Sequence, residues 1–432
     1  MSGQTITEKI LARHSGHDTV SPGDTIWVNA DVLMTHDVCG PGTIGILKKE
    51  LGQDAKVWDK DKVVIIPDHY IFTKDAESNR NVDVLREFAK EQQLPNYYDV
   101  GTPAYKGVCH VALAEEGHTR PGEVLFGTDS HTCTAGAFGL FATGIGNTDA
   151  AFVMGTGKLW LRVPATLRVA YEGDIPAYLT AKDMILALIG SIGVDGATYA
   201  SLEFVGSATT AMDMAERMTL CNMAIECGAK SGIVPPDDTT LEFVKARTQL
   251  PFEAVVSDGD ATYLEQHRFD VSTMAPKVAK PHSPDKVVDV MELKDTPVDR
   301  CYIGSCTGGK IEDFVRAAEI LDGKKVVVDT FCVPATNLVD RDFDTIRRNG
   351  RTLREIFAAA GTKIGPPSCA ACLGGPIDTF GRTHAAEVVI STTNRNFPGR
   401  MGSRDSAVYL ASPYTVAASA LTGRITDPRN YL

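Results

Sequence analysis

The stretch P-P-S-C-A-A-C-L-G-G at 366–375 decides how this chain reads. It carries Cys369 and Cys372, two thiols that a tight turn brings to one side, where both can hold one metal centre. The pair by itself fits zinc, a redox disulfide or an iron–sulfur cluster. A third thiol, Cys306, lies upstream in I-G-S-C-T-G-G-K, where Tyr302 and Ile303 read as a strand end. Gly304, Gly308 and Gly309 let the backbone there approach something bulky. Downstream, S-T-T-N-R-N-F-P-G-R places Arg395 and Arg400 in a polar, glycine-containing loop. Thiols followed by paired arginines point to a metal centre beside a carboxylate pocket. A guanidinium matches a carboxylate fork with two parallel hydrogen bonds, which a lysine cannot do.

Composition bounds the answer. At 432 residues the chain is long enough for two or three domains. Hydrophobic content of 43% and charged content of 23% are those of an ordinary globular protein. A net charge of −12 argues against a nucleic-acid-binding surface, which needs a basic stripe, but leaves room for a local basic pocket. No apolar run approaches the ~20 residues of a membrane helix. The start M-S-G-Q-T-I-T-E-K-I-L has neither secretory nor transit-peptide character. Ten cysteines are too few for a disulfide scaffold, and Cys221 and Cys227 sit in apolar runs as buried thiols. A reducing, cytoplasmic setting is expected.

Taken in order, the chain alternates strand and helix, which implies α/β layers around parallel sheets. Residues 4–13 predict a helix capped at Thr5 or Thr7, and 25–29 a strand. His36 and Asp37 follow at a strand-to-loop junction that faces either a cleft or solvent. The apolar run 62–67 predicts a buried strand ending in Asp68 and His69, and ligands gather outside the carboxyl ends of such strands. Residues 97–100 and 107–113 read as the next strand and turn, with His110 in an apolar setting where a hydrogen-bonded core histidine is the plain reading. Asp129, Ser130 and His131 sit at another strand end among small residues. The glycines that follow do not make a G-x-G-x-x-G or P-loop pattern, so no nucleotide loop is expected. Residues 142–161 read as helix. A carboxylate inside an apolar strand, Glu203 in S-L-E-F-V-G, is unfavourable unless paired or functional. The Pro- and Lys-rich K-V-A-K-P-H-S-P-D-K at 277–286 reads as an inter-domain linker. The resulting division is 1–165, 166–285 and 286–432.

In this order, G-T-D-S-H-T, G-S-C-T, C-x-x-C-L-G, N-R-N-F-x-G-R and Y-L-A-S-P-Y-T-V-A-A-S-A-L-T-G resemble the aconitase superfamily over nearly the whole chain. The likeness is greatest to its isopropylmalate isomerase branch of large subunits. Gly308 stands where many members have asparagine, a form that resembles the plant and cyanobacterial members of that branch. The resemblance implies three α/β/α domains around a central cleft containing a [4Fe–4S] cluster. By the same resemblance Cys306, Cys369 and Cys372 hold three irons and leave the fourth open to substrate. The implied reaction is removal and re-addition of water on a 2-substituted malate. His69 with Asp68 helps protonate the departing hydroxyl, and His110, Asp129, His131 and Glu203 line the bound water. Ser130, Arg395 and Arg400 grip substrate. The base that takes the carbon-bound proton is, in the family, a serine on a swivelling domain. With the sequence ending at I-T-D-P-R-N-Y-L, a small-subunit partner is expected to bring that serine. Homoaconitase and 2,3-dimethylmalate dehydratase share these residues and are the alternatives. Outside that class stand a zinc-stabilised binding protein, with His384 as fourth ligand, and an RNA-binding protein, which the acidic balance disfavours.

Overall fold

The computed structural model describes residues 3–432, and its architecture is α/β with three main sheets. The first is all parallel, in the order Val63–Ile65, Val32–Thr35, Val124–Gly127, Phe141–Gly144. Its strands are buried almost throughout, as a parallel sheet covered on both faces requires. The second is also parallel, in the order Glu265–Asp270, Thr166–Glu172, Ser201–Val205, Ser231–Ile233.

The third sheet has seven strands, in the order Val287–Asp289, Lys277–Ala279, Ala407–Ala411, Val388–Ser391, Arg300–Ile303, Asp329–Cys332, Lys363–Ile364. The last five run parallel, and Lys277–Ala279 is antiparallel to both its neighbours. That strand corrects the linker reading of 277–286. Val278 and Ala279 pair with Ala411 and Leu410, and both are fully buried. The Pro- and Lys-rich signal belongs to the turn that follows.

Strand order fixes where a ligand can sit. In the first sheet the chain winds one way from Val32–Thr35 to Val63–Ile65, then returns on the other side at Val124–Gly127. In the third it winds from Arg300–Ile303 outward through Asp329–Cys332, then returns at Val388–Ser391. Each reversal opens a crevice at the carboxyl ends of the strands. His36, Asp68 and Asp129 follow the first set of strand ends; Cys306 and Asn394 follow the second. Val64, Leu167 and Tyr302, one from each sheet, share a continuous buried cluster with Cys306, Cys369 and Cys372. The sheets therefore pack onto one another around the thiols.

Local signals explain most elements. The helix Ile6–Ser15 starts at Thr5, whose side chain and Glu8 form a capping box, and ends at Gly16 with φ 72°; such a cap is worth about 1 kcal/mol. Two expectations fail. Residues 142–161 are not one helix: Phe141–Gly144 is a strand, Asn147–Thr156 a helix and Lys158–Arg162 a strand. Gly144 lies where any Cβ would meet the backbone of Asp129, and Gly157, at φ 70°, ends the helix. His110 lies on a short helix, Cys109–Glu115, rather than in a strand and turn. The Asp68 carboxylate accepts the N–H of Cys109 at 2.8 Å and so satisfies one free donor at that helix start. No helix among the described residues is long and apolar enough to cross a membrane.

Candidate active site

The thiols come from two strand-end loops of the third sheet. Cys306 follows Ser305, whose φ is 75°, and Cys369 precedes Ala370, whose φ is 46°. Left-handed backbone at non-glycine residues costs on the order of 1–3 kcal/mol and persists only where surroundings enforce it. Gly308 is enforced as well: a Cβ there would come 2.1 Å from Thr392 Oγ1. That hydroxyl accepts the Gly304 N–H at 2.9 Å and donates to the Gly304 carbonyl at 3.0 Å, fixing the Cys306 loop. The Sγ atoms of Cys369 and Cys372 are 2.9 Å apart. Cys306 Sγ accepts N–H bonds from Asn222 at 3.1 Å and Asn394 at 3.3 Å, and Arg400 Nη2 lies 3.9 Å from Cys372 Sγ. The hydrogen bond from Cys369, with Arg400 nearby, holds the Cys372 thiol well below its usual range despite burial. Burial pushes Cys306 up to about 12. Every cysteine is free.

The first sheet supplies the opposite wall. Asp68 Oδ1 lies 2.6 Å from His69 Nδ1. Burial alone would lower the His69 imidazole, but Asp68 outweighs it and raises it to about 10. Asp129 Oδ1 meets His110 Nε2 at 2.9 Å and the backbone N–H of His131 at 2.7 Å. Burial would raise the Asp129 carboxyl, but these partners hold it well below the usual carboxylate range. His131 Nε2 continues to Glu226 Oε1 at 2.7 Å. Glu226 takes Arg395 Nε at 2.8 and 3.0 Å, and Arg395 Nη1 donates to Ser130 Oγ at 3.0 Å. The Cys369 N–H donates to the Asp68 carbonyl at 2.9 Å, which stitches the two walls together.

His36, Asp37, Asp68 and His69 have ligand atoms within 4.8 Å of one another, a spacing that a metal ion could use. Their bonding makes them a scaffold instead. Asp37 accepts the backbone N–H groups of Asp68, His69 and Tyr70 at 2.8, 3.0 and 2.7 Å. His36 stacks on His69 with ring centroids 4.4 Å apart. Asp37 thus shapes the turn that presents the Asp68–His69 pair, and the cleft-facing reading of this junction is the one the geometry matches.

One small, partly open cavity is lined by Asp68, His69, His110, Asp129, His131, Cys306, Cys369, Cys372, Asn394 and Arg400. Ser130 and Arg395 join it through Glu226. Glu203 does not. Its carboxylate accepts Ser257 Oγ at 2.7 Å and Tyr263 OH at 3.4 Å and lines a separate cavity beside Arg168. Glu203 thus stands apart from the thiol cavity, against the expectation that it lines the bound water. Glu226 is the carboxylate bonded to His131 instead. Asn222, Asn394 and Glu226 were not singled out by sequence reasoning. Asn222 and Glu226 are four apart in N-M-A-I-E-C-G, and two polar residues at that spacing within an apolar run were the available signal. His384, the fourth ligand of a zinc site, is exposed and faces Arg382 instead.

The Aconitase family (aconitate hydratase) model matches residues 8–423. The chain belongs to the aconitase family. It is 59% identical to the chloroplastic 3-isopropylmalate dehydratase large subunit of Arabidopsis thaliana, over 100% of this chain and 87% of the relative. It is 48% identical to 3-isopropylmalate dehydratase large subunit 1 of Methanopyrus kandleri over 100% of both chains. With the probable large subunit of the same enzyme in Methanothermobacter thermautotrophicus the identity is 46% over 98% of each.

The family implies a [4Fe–4S] cluster, and the donor set gathered here suits one. The cavity gathers three free thiols, and three buried atoms of its lining have no hydrogen-bond partner: His110 Nδ1, Asn394 Oδ1 and Arg400 Nε. Buried polar atoms left in this way call for a bound group.

Arg395→Lys tests the arginine wall. Lysine keeps the charge but loses the planar fork that serves Glu226 and Ser130 together. Losing one charged contact costs about 1.5–3 kcal/mol, a ten- to hundredfold rise in KM for a dicarboxylate at unchanged iron content. An unaltered KM and turnover would remove Arg395 from the site.

Proposed function

We propose that this chain is the catalytic large subunit of a 3-isopropylmalate dehydratase, interconverting 2- and 3-isopropylmalate by loss and return of water. What carries the reading is one cavity that joins three thiols to histidine–carboxylate pairs, with arginines beside them. The relatives' names supply the choice of malate.

Cys306, Cys369 and Cys372 are assigned as the residues that hold the [4Fe–4S] cluster. Bound there, the cluster supplies a Lewis acid that polarises the substrate's C–O bond. The chain's own groups do the rest. His69, kept protonated by Asp68, gives its Nε2 proton to the departing hydroxyl, which leaves as water. Asp129, His110 and His131 form a relay that holds water and returns it to the neighbouring carbon. Arg395, oriented by Glu226 and Ser130, and Arg400 bind substrate carboxylates. The carbon-bound proton goes to a base on a separate small subunit, assigned as a serine on its swivelling domain. The three sheets are assigned to three α/β/α domains. Free cysteines throughout suit a reducing compartment, for which the cytoplasm is our assignment.

The deciding measurement compares isopropylmalate, homocitrate and 2,3-dimethylmalate after anaerobic cluster reconstitution with the small subunit. A kcat/KM for isopropylmalate at least about tenfold above the others, some 1.4 kcal/mol of transition-state preference, is expected. A preference for either competitor transfers the chain to that activity.

A further inference from the structure

The strands Thr25–Asn29 and Lys158–Arg162 form a separate antiparallel ribbon with one face in solvent. Trp27 and Trp160 are direct cross-strand partners on that face, 52% and 58% exposed, and they are two of the protein's three tryptophans. Phe152, 42% exposed, extends the ridge with its ring centroid 5.7 Å from that of Trp27. Lys158 and Arg162 flank Trp160 on the same face. Contiguous exposed aromatics ringed by charge mark an interaction surface.

The ridge borders a cavity that reaches a residue of the arginine wall. Trp160, Arg162, Tyr199 and Lys230 line this cavity of about 510 Å³ together with Thr128 and Ser130. The Arg162 N–H donates to Tyr199 OH at 3.3 Å, and Lys230 Nζ stands 5.3 Å from the centroid of the Tyr199 ring. Ser130 is the residue whose hydroxyl accepts Arg395 Nη1 at 3.0 Å. A chain seated on the ridge is therefore one cavity away from the arginine wall.

We propose that the Trp27–Trp160 ridge is the docking edge for the small subunit, which meets it with an apolar surface rimmed by carboxylates. This rests on the large-subunit reading, because a partner that must deliver a group into the site has reason to sit beside the cavity that includes Ser130, the partner of Arg395. Charge points the same way. On a chain of net charge −12, Arg162 and Lys230 face this cavity against one carboxylate, Asp149. A second copy docking through the same patch by two-fold symmetry would set cations against cations.

The test uses the full chain, anaerobically reconstituted, with the purified small subunit, and reads association by sedimentation. Trp160→Ser is expected to weaken binding about thirtyfold or more, as loss of a central tryptophan does, with far-ultraviolet circular dichroism and cluster absorbance unchanged. Arg162→Glu, which leaves the aromatic ridge intact, is expected to weaken it as well and to flatten its salt dependence. Wild-type affinity in both variants overturns the proposal while the functional reading stands. A homodimer broken by Trp160→Ser, with small-subunit binding intact, assigns the ridge to a second copy and also overturns it. If the unaltered chain does not bind the small subunit, both readings fall.

Discussion

Cys306→Ser is expected to give a folded, colourless and inactive protein. Cys306 is 3% exposed, and its sulfur accepts two amide N–H bonds, from Asn222 and Asn394, that a thiolate under a cluster uses well. A serine hydroxyl fits the space but is a hard, weakly acidic ligand in a site built for thiolates. Without the Lewis acid the reaction loses several kcal/mol of charge stabilisation. That corresponds to a fall of about three orders of magnitude or more in turnover. Cys221→Ala is the matched control: Cys221 is fully buried at the end of the helix Met214–Asn222 and lines no part of the cavity. It should keep iron, sulfide and visible absorbance while losing some stability to the small void. Full iron and sulfide content in Cys306→Ser would move the ligand assignment to another cysteine.

What could be read from the sequence was what the backbone decides locally. Asp68–His69 and Asp129–Ser130–His131 were legible because a short apolar strand followed by polar residues places those residues at a carboxyl end, whatever the rest of the fold does. The C-x-x-C pair was legible from its spacing alone, since a tight turn brings two thiols so placed to one side. Glu203 and Glu226 show the limit. Both are carboxylates in apolar runs, and burial pushes Glu203 up. Burial would push Glu226 up too, but His131 and Arg395 outweigh it and hold Glu226 low. Which of them is bonded to His131 depends on how the second sheet packs against the first, and the spacing of Asn222 and Glu226 marks a polar pair without saying what it meets. The strand Lys277–Ala279 was hidden similarly: three residues beside a Pro-rich turn become a strand only because Ala407–Ala411 and Val287–Asp289 are there to pair with them. Gly308 could be recognised as unusual in the sequence, but its reason, Thr392 Oγ1, lies in a loop more than eighty residues away.

The isolated chain, with its cluster intact, is expected to turn over substrate at no more than about a hundredth of the rate of the two-chain enzyme. What decides the rate is which groups at the site are free to take a proton from carbon. Asp68 is bound to His69, Asp129 to His110 and His131, and Glu226 to His131 and Arg395. The pairing holds Asp68, Asp129 and Glu226 low, which suits orienting histidines and makes them weak bases. Of the nearby serines, Ser130 accepts from Arg395 and Ser305 lies beside Cys306. Among the described residues, then, the hydroxyl side of the reaction is well supplied and the carbon side is not. A positioned general base contributes about 10²–10⁴-fold, so that is the expected gain when the small subunit is added. Substrate should still bind to the reconstituted chain alone and perturb its visible spectrum, because the arginines and the thiol cavity are all present. The measurement is the hydration rate of the alkene intermediate at equal cluster content, with and without the partner. A lone-chain rate within tenfold of the complex would place the base among these residues and end the two-subunit reading.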